Sequence, residues 1–373
     1  MNTTSTPSKE LIDLFLSLAT IDGISLHERN IADHVKTLLQ TNNVKVIEDG
    51  TGAKIKGNTG NLICFPPHYD ESKPAIALCA HLDTVTPTKD LRPVVTDDRI
   101  SSDGTTILGG DNREGLSILL YLMMNLNSLK SPVKNFICVF TVGEELGMYG
   151  ANHVDLSPYN VKEAYVFDCS KRPGIYIKDC AGCMIFTAKF HGKSAHAGVA
   201  PEQGINAITL ASKALANVRF GRIDEETTSN IGKITGGGAT NVVPNEVVID
   251  GEVRSFTKEK IEQQFSIIKE GFQRSLDGTG GSYSITSEMD FHPYVLDVTT
   301  SIVTTIEKAI RAAGLQPQGI RYTGGSDANS YNAKGIPSVN IGIGAQKPHA
   351  FEEFILIEDL IISKEIAFAL VQE

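Results

Sequence analysis

The sequence predicts a two-domain α/β protein whose main domain is a mostly parallel sheet, covered by helices and interrupted by a smaller α+β domain. Short, wholly apolar segments alternate with helical segments in the first half of the chain, as in parallel strands buried on both faces. Near residue 184 apolar and polar residues begin to alternate, which indicates a sheet with one solvent-exposed face. Buried strands and helices resume at about residue 300. We therefore assign residues 1–184 and 296–373 to the main domain and 185–295 to an insertion.

Two amphipathic helices are predicted at the start of the chain, because apolar residues recur there at helical spacing. Their apolar faces are Leu11, Phe15 and Leu18 in the first helix and Ile31, Val35 and Leu38 in the second. Ser25 and Glu28 have the spacing of a capping box, so we expect them to begin the second helix.

Apolar runs then predict the strands of the main sheet and one buried helix. The predicted strands are 44–47, 61–65, 75–80, 135–142, 164–167 and, after the insertion, 337–343. The buried helix is predicted over residues 113–129. Its longest apolar stretch, residues 116–124, is too short to span a bilayer, so no membrane partner is expected.

The insertion is predicted to be a sheet with helices on one face. Phe186, Ala188 and Phe190 alternate with polar residues, and so do Val247, Ile249 and Val253. Two helices are predicted by the apolar sets Ile208, Ala211, Leu215 and Val218, and then Ile261, Phe265, Ile268 and Phe272.

Composition excludes several classes of protein. The 373 residues carry a formal net charge of −10 without a dense Lys/Arg cluster, so nucleic acid and anionic membranes are not expected partners. The N-terminal stretch lacks the basic and apolar segments of a secretory signal. The six cysteines lie mostly in apolar strands, and Cys180 and Cys183 have no second pair with which to form a zinc ribbon. We expect a cytoplasmic protein.

Acidic residues and a histidine follow three predicted core strands where each strand ends. His81 and Asp83 follow the first, Glu144 and Glu145 the second, and Asp168 the third. Ligands of open α/β sheets bind beyond the carboxyl ends of the strands, so these side chains are expected to converge. Two adjacent acids are costly to bury unless something pairs with them, and a cation would do so. The sequence therefore predicts a metal site at this edge.

The spacing of these residues suggests distinct tasks. Asp83 can accept a hydrogen bond from His81, since residues two apart on a strand point to the same side. Glu144 and Glu145 point in different directions, so one can bind metal while the other acts as a base. Each residue by itself also has an ordinary interpretation: Asp111, in LGGDNREG, could simply cap the following helix.

Seven motifs in a fixed order give the chain a resemblance, over nearly its whole length, to a known family. They are ALCAHLDTV, LGGDNREG, TVGEELGMYGA, VFDCS, GGGATNVVPNEV, GGSDAN and KPHAF. The chain resembles the co-catalytic zinc metallopeptidases that include tripeptidase T, carboxypeptidase G and the aminoacylases, and within them the peptidase T-like proteins. The resemblance implies a zinc-peptidase α/β core and a ferredoxin-like lid that also forms a homodimer.

The resemblance also implies a role for each site residue. One metal would be held by His81, Asp111 and Asp168, and the other by Asp111, Glu145 and His349. Asp111 would bridge, Glu144 would be the general base, and Asp83 would orient His81. Two divalent ions against three ligating carboxylates leave one positive charge, which favours polarising a carbonyl oxygen. Zinc suits this ligand set, and cobalt or manganese could also occupy it.

Three residues of the insertion match family residues that contact substrate: His196, Asn241 and Arg254. Arg254 could instead pair with Asp250 or Glu252 on its strand, and Asn241 could merely begin a turn. Where many relatives have a second acid and a lysine after the bridging aspartate, this chain has Asn112 and Arg113, which puts transfer of subgroup specificity in doubt. Asp327 and Asn329 are left without a role, as are Cys180 and Cys183.

The resulting hypothesis is a two-metal hydrolase of short peptides, by resemblance a tripeptidase-type aminopeptidase. A carboxypeptidase or an N-acyl amino acid deacylase would use the same site. A hypothesis of another class is a protein that binds metal and peptide without catalysis. Serine chemistry is not indicated, since the sequence contains no G-x-S-x-G motif, and HExxH is also absent.

Overall fold

The computed structural model of the protein describes residues 6–129 and 133–373. Its helices are α1 (Thr6–Ala19), α2 (Arg29–Thr41), α3 (Thr51–Ile55), α4 (Gly110–Met124), α5 (Tyr149–His153), α6 (Ala207–Ala216), α7 (Lys258–Leu276), α8 (Ser301–Ala312), α9 (Asp327–Ala333) and α10 (Ile357–Val371). Its strands are β1 (Lys45–Glu48), β2 (Leu62–Phe65), β3 (Ala75–His81), β4 (Pro93–Val95), β5 (Arg99–Ser102), β6 (Phe136–Thr141), β7 (Val161–Cys169), β8 (Ile175–Cys180), β9 (Gly182–His191), β10 (Gly221–Arg222), β11 (Thr228–Gly236), β12 (Glu246–Ser255), β13 (Ser282–Phe291), β14 (Tyr294–Val295), β15 (Gln318–Tyr322), β16 (Ser338–Gly342) and β17 (Phe354–Leu356).

Tertiary contacts divide the chain into two compact units. The core unit runs to Asp179 and also contains Val295–Arg321 and Ser326–Glu373. The inserted unit is Cys180–Tyr294 together with the short return Tyr322–Gly325, which the sequence does not predict. The assignment of these units to catalysis and to a lid stays a prediction.

The main sheet has the strand order β1-β2-β6-β3-β7-β16-β8-β14, with β15 beside β8. Its centre is parallel, since β3 pairs in parallel with both β6 and β7, and β16 pairs in parallel with β7. The flanking pairs β1–β2, β2–β6 and β16–β8 are antiparallel. The predicted mostly parallel sheet is therefore confirmed for its centre, where the strands are buried on both faces.

The buried helix α4 lies against this sheet and against α1 and α10. Helical backbone angles begin only after Asp111 and Asn112, which agrees with a predicted start at Arg113. The helix ends at Met124 rather than at 129, and the short 3₁₀ turn Leu126–Ser128 follows. The predicted face of α1, formed by Leu11, Phe15 and Leu18, is fully buried.

Two predictions about α2 are wrong. Leu39 is buried on its apolar face, whereas Leu38 is only partly buried. Ser25 and Glu28 do not form a capping box, since the Ser25 hydroxyl donates to Asp83 and the Glu28 carboxylate accepts from the amides of Leu26 and Gly143. Distant partners satisfy these side chains in place of the helix end, as tertiary contacts commonly override a local motif.

The inserted unit is an antiparallel sheet of order β10-β11-β12-β9-β13, with α6 and α7 packed on the same apolar cluster. The sequence β9-α6-β11-β12-α7-β13, with β9 and β12 in the middle, is the predicted ferredoxin-like arrangement. The predicted inward residues of β9, β12 and α7 are buried. On α6 the prediction is wrong for Ile208, which is 43% exposed, and Leu210 is buried instead. The small residues Ala207 and Ala211 complete the buried face of this helix.

All six cysteines are buried and outside any disulfide, so Cys180 and Cys183 are not joined to each other. Among the residues that the structure describes, no helix is both long and apolar enough to cross a membrane.

Glu114 is an ionisable residue in the interior of the core unit. It lies on α4 with no exposed surface, and neither carboxylate oxygen has a hydrogen-bond partner in the described part of the chain. Burial raises the pKa of Glu114 well above its usual range, and the carboxylates of Asp359, Glu353 and Asp111 raise it further. The folded protein therefore retains a proton that the unfolded chain releases above about pH 4.3.

We predict that Glu114→Gln becomes increasingly stabilising relative to the natural protein as pH rises from about 4.3. In that range the native state binds more protons than the unfolded state, so the free energy of unfolding of the natural protein falls with pH, by at most about 1.4 kcal/mol per unit for one proton. The measurement is urea unfolding of metal-free protein between pH 5 and 8. The exposed Glu71, changed to Gln, is the control. Parallel stability curves for Glu114→Gln and the natural protein would contradict the prediction.

Candidate metal centre

The candidate site lies where the central parallel strands end. His81 is the last residue of β3 and lies in register with Thr141, the last residue of β6. After β6 the chain turns at Gly143, which has a left-handed φ of 61°, and enters a short 3₁₀ turn that starts with Glu144. Asp168 is the penultimate residue of β7. The predicted convergence at the carboxyl edge of the sheet is what the fold produces.

The imidazole of His81 is surrounded by carboxylates. Its Nε2 atom lies 3.1 Å from Oδ1 of Asp111, 3.3 Å from Oδ1 of Asp168 and 4.0 Å from Oε2 of Glu144. The ring is 1% exposed. Asp111 and Asp168 are therefore the pair closest to this nitrogen, and Glu144 stands slightly apart.

The second histidine, His349, faces the other side of Asp111. Its Nε2 lies 3.0 Å from Oε1 of Glu145 and 3.5 Å from Oδ2 of Asp111. Asp111 thus directs one carboxylate oxygen to His81 and the other to His349, the arrangement expected of a carboxylate shared by two metals. The structure brings together all five residues that the sequence assigned to metal binding.

Asp83 faces His81, as the sequence predicted, and also contacts three other groups. Its Oδ1 lies 3.2 Å from Nδ1 of His81, although the angle falls short of a hydrogen bond. Oδ1 also accepts from the Glu144 amide at 3.0 Å, and Oδ2 accepts from the Glu145 amide at 3.2 Å. The Ser25 hydroxyl donates to Oδ2 at 2.6 Å. Asp83 therefore fixes the backbone of both acidic residues as well as facing His81.

Ser25 and Glu28 are supporting residues that sequence reasoning missed. The Glu28 carboxylate accepts from the Gly143 amide at 2.9 Å, at the turn that precedes Glu144. Burial and the Asp83 carboxylate raise the pKa of Glu28 to about 7. Neither contact has a local sequence signal, because the partners are 58 and 115 residues apart.

Asn112 and Arg113, where the chain departs from many relatives, donate hydrogen bonds to groups at or next to the site. The Asn112 side-chain amide donates to Oδ1 of Asp168 at 3.0 Å. The buried Arg113 guanidinium donates to the carbonyl oxygens of Leu82 and Ile21, and burial lowers its pKa to about 10. Both residues hold segments next to candidate ligands.

Carboxylates outnumber histidines in the site. The carboxylates are those of Asp83, Asp111, Glu144, Glu145 and Asp168, and two histidines face them. Burial raises the pKa of Glu144 well above its usual range, and the Asp168 carboxylate raises it further. Burial likewise raises the pKa of Glu145 and of Asp168, whereas the carboxylates of Asp111 and Glu145 raise the pKa of His349 to about 10.

Divalent cations fit this donor set. Ligand atoms of His81, Asp111 and Glu145 lie within 4.8 Å of one another. Imidazole nitrogen and carboxylate oxygen are ligands of zinc, and also suit manganese and related metals. Bound cations would compensate the buried carboxylates, which otherwise are costly to keep ionised.

In the inserted unit, His196 has a defined tautomer. Its Nδ1 accepts from the amides of Gly198 at 3.2 Å and Val199 at 3.1 Å. A neutral ring that accepts at Nδ1 carries its proton on Nε2, so Nε2–H is available as a donor. Asn241 lies beside this residue, because its carbonyl oxygen accepts from the Ala197 amide at 2.9 Å.

Arg254 is paired within its own unit. Its guanidinium donates to both carboxylate oxygens of Glu252 at 3.0 Å and to the Thr323 carbonyl oxygen at 3.1 Å. Pairing with Glu252 is therefore the observed role of Arg254, and its contact with substrate stays a prediction, as does that of Asn241.

Asp327 and Asn329, which the sequence left without a role, occupy different environments. Asp327 is 1% exposed and accepts from the Thr141 hydroxyl at the end of β6. Asn329 accepts from the Ser326 amide at the start of α9. Asp327 therefore contacts the end of the strand that leads to Glu144, and Asn329 contributes to the start of α9.

Two family models match the chain. The M20 peptidase dimerisation domain matches residues 181–277, and peptidase family M28 matches residues 61–169. Among curated proteins, the chain is 35% identical to the uncharacterized protein YqjE of Bacillus subtilis, with 98% of each chain covered. It is 24% identical to peptidase T of Aliivibrio salmonicida, covering 94% of this chain and 95% of that protein.

Solved structures with the same fold carry the comparison further. Aminopeptidase PepT from Bacillus cereus is 34% identical with a TM-score of 0.88, and a tripeptidase from Staphylococcus aureus is 32% identical with a TM-score of 0.91. In both cases 98% of each chain is covered. The chain is similar to these proteins over 98% of its length, both units included.

We predict that Asp111→Ala lowers the bound metal from two ions per chain to fewer than one, whereas His349→Ala leaves one. Asp111 contacts both histidines, so its loss weakens both positions, whereas His349 contacts only one group of ligands. Metal content after dialysis against zinc, measured by mass spectrometry, tests this. His153→Ala, at an exposed histidine of the core unit, is the control. Two ions retained by Asp111→Ala would disprove the shared-ligand assignment.

Proposed function

The chain belongs to the peptidase T-like members of the M20 peptidase family and is a metal-dependent peptidase, and we propose that it is a tripeptidase-type aminopeptidase that uses two zinc ions. The observation that carries the proposal is the Asp111 carboxylate shared between His81 and His349, with Glu144 beside it. The two solved relatives named as an aminopeptidase and a tripeptidase support the type of bond cleaved.

The proposed metal ligands divide into two groups. His81, Asp111 and Asp168 would hold one cation, and Asp111, Glu145 and His349 the other; the distances above support both groups. When bound, the two cations supply Lewis-acid chemistry that polarises a peptide carbonyl and acidifies water.

Glu144 is the proposed general base. Its carboxylate stands at 4.0 Å from Nε2 of His81, farther than those of Asp111 and Asp168, so it is left for proton transfer. Asp83 holds the Glu144 amide and thereby fixes where this side chain begins. Glu144 takes a proton from the attacking water and returns it to the leaving amine as the peptide bond breaks.

His196 is the proposed donor to the substrate carbonyl oxygen. The two amides that donate to Nδ1 leave a proton on Nε2, which can be given as a hydrogen bond to an oxygen that becomes negatively charged. Asn241 and Arg254 are proposed to contact polar groups of the peptide.

The proposed assembly is a homodimer formed through the inserted unit. The match of residues 181–277 to the peptidase dimerisation domain supports it. The proposed location is the reducing cytoplasm, which is supported by six cysteines that form no disulfide.

We expect zinc-loaded protein to remove the first residue of free tripeptides and to leave N-acetylated tripeptides, dipeptides and N-acyl amino acids intact. An aminopeptidase acts next to a free α-amine, which the N-acetylated tripeptides and the N-acyl amino acids lack, and a tripeptidase acts on three residues, which excludes the dipeptides. Mass spectrometry of one mixed pool, with chelated protein as the control, measures this. Cleavage of the blocked substrates would reassign the protein as a carboxypeptidase or deacylase. Metal and peptide binding without cleavage in any metal would indicate a non-catalytic protein.

We predict that Glu144→Gln lowers kcat on a free tripeptide by at least 10²-fold, because removing a general base costs about 10²- to 10⁴-fold. Zinc content is expected to stay at two ions, since Glu144 is not a proposed ligand. The exposed Glu352, changed to Gln, serves as the matched control and is expected to retain normal turnover. Near-normal turnover of a zinc-loaded Glu144→Gln protein would refute the base assignment.

A further inference from the structure

Glu353 is a buried carboxylate next to the site that no step of the proposed reaction uses. It has no exposed surface, and it lies four residues after His349 in the core unit. Its Oε2 accepts from the Gly109 amide at 2.7 Å, and its Oε1 accepts from the Asp111 amide at 3.0 Å. Both oxygens are thus engaged by one turn of the backbone, more than 240 residues earlier in the chain.

The turn is shaped to receive this carboxylate. Gly109 has a left-handed φ of 72°, which favours glycine. A Cβ atom on Gly110 would lie 3.1 Å from Oε1 of Glu353 and 2.9 Å from the Ile355 side chain. Glycine at position 110 therefore permits the close approach that the two hydrogen bonds require.

The turn ends at Asp111, the residue on which both groups of proposed ligands depend. The Asp111 side chain must direct one oxygen to His81 and the other to His349. Since Glu353 holds the Asp111 amide, it limits where that side chain begins. His349 and Glu353 belong to one segment, which is itself anchored because Gln346 and Phe354 exchange backbone hydrogen bonds.

A simple stabilising role does not account for Glu353. A buried carboxylate without a cationic partner is costly, and an apolar side chain of similar size would fill the space at lower cost. Burial raises the pKa of Glu353 to about 7, although its two amide bonds oppose this. Both carboxylate oxygens of Glu353 accept from backbone amides, so Glu353 is not one of the proposed metal ligands.

We propose that Glu353 is a positioning residue that clamps the Gly109–Asp111 turn and thereby sets the Asp111 carboxylate between the two metal positions. The inference rests on the proposed function through the metal role of Asp111. Loss of an outer partner of this kind typically costs 10- to 100-fold in metal affinity.

The test compares Glu353→Gln with Glu352→Gln. The glutamine has the same shape, but its NH₂ group faces one of the two backbone donors, so one clamp bond is lost and two donors oppose each other. Glu352 is the neighbouring exposed glutamate and carries the same substitution as a control. Two quantities are measured: amide hydrogen exchange of the peptide covering residues 107–115 in metal-free protein, and zinc affinity by competition with a chromophoric chelator.

We expect Glu353→Gln to increase exchange in that peptide and to lower zinc affinity by at least 10-fold, with the unfolding midpoint of metal-free protein within a few degrees of normal. Glu352→Gln should change neither quantity. Unchanged exchange, or faster exchange with unchanged zinc affinity, would overturn the inference. Faster exchange spread over the whole core unit, and not concentrated in residues 107–115, would also overturn it, since general instability would then explain both changes.

Two further measurements keep the inference testable if Glu353→Gln does not fold. Gly110→Ala should displace the carboxylate and give the same pair of changes. In the natural metal-free protein the Gly109 and Asp111 amides should be protected from exchange, and unprotected amides would contradict the clamp. Failure of the proposed function would be seen differently, as a natural protein that binds zinc and cleaves no peptide.

Discussion

The contacts of the Asp83 carboxylate are the constraint on which the site depends. This single buried group accepts from the amides of Glu144 and Glu145, receives the Ser25 hydroxyl and faces His81. It therefore joins the ends of two parallel strands and the segment before α2 into one unit. Burial opposes ionisation of Asp83, but these contacts lower its pKa. The carboxylate therefore remains charged, and both of its oxygens stay available as hydrogen-bond acceptors.

The same principle recurs around the site. Glu28 holds the turn at Gly143, Glu353 holds the turn at Gly109, and Asn112 holds the Asp168 carboxylate. The turns before Glu144 and Asp111, and the Asp168 carboxylate, are therefore each held by a buried polar side chain from a distant part of the chain. A site assembled from strand ends needs this support, because turns by themselves adopt many conformations and ligand positions must be held closely. The accumulated negative charge is the consequence, and divalent cations would compensate it.

Sequence-based prediction was wrong where a side chain had a local and a distant partner to choose from, and where the closeness of helix packing decided which residues are buried. Ser25 and Glu28 fit a local capping box, yet the structure commits both to groups on distant strands. On α6, small residues form the packed face and Ile208 is left exposed, because the spacing of large apolar residues does not reveal how closely a helix approaches a sheet. Arg254 is a different case: it pairs with Glu252, an alternative that its strand already offered, and its contact with substrate stays a prediction.

The sequence by itself determined the α/β core, the inserted α+β unit and the convergence of His81, Glu144, Glu145 and Asp168, because buried parallel strands must be apolar and acids placed at successive strand ends must converge. The ferredoxin-like topology and the complete ligand set, with Asp111 and His349, came from the resemblance of the sequence motifs to a known family. Only the tertiary structure decided that Asp111 directs one oxygen to each histidine, that Asp83 holds the two acidic residues, and that Glu353 clamps the turn before Asp111. The physical reason is distance along the chain: these hydrogen bonds join segments up to 244 residues apart, and no local preference of the backbone encodes such a partner.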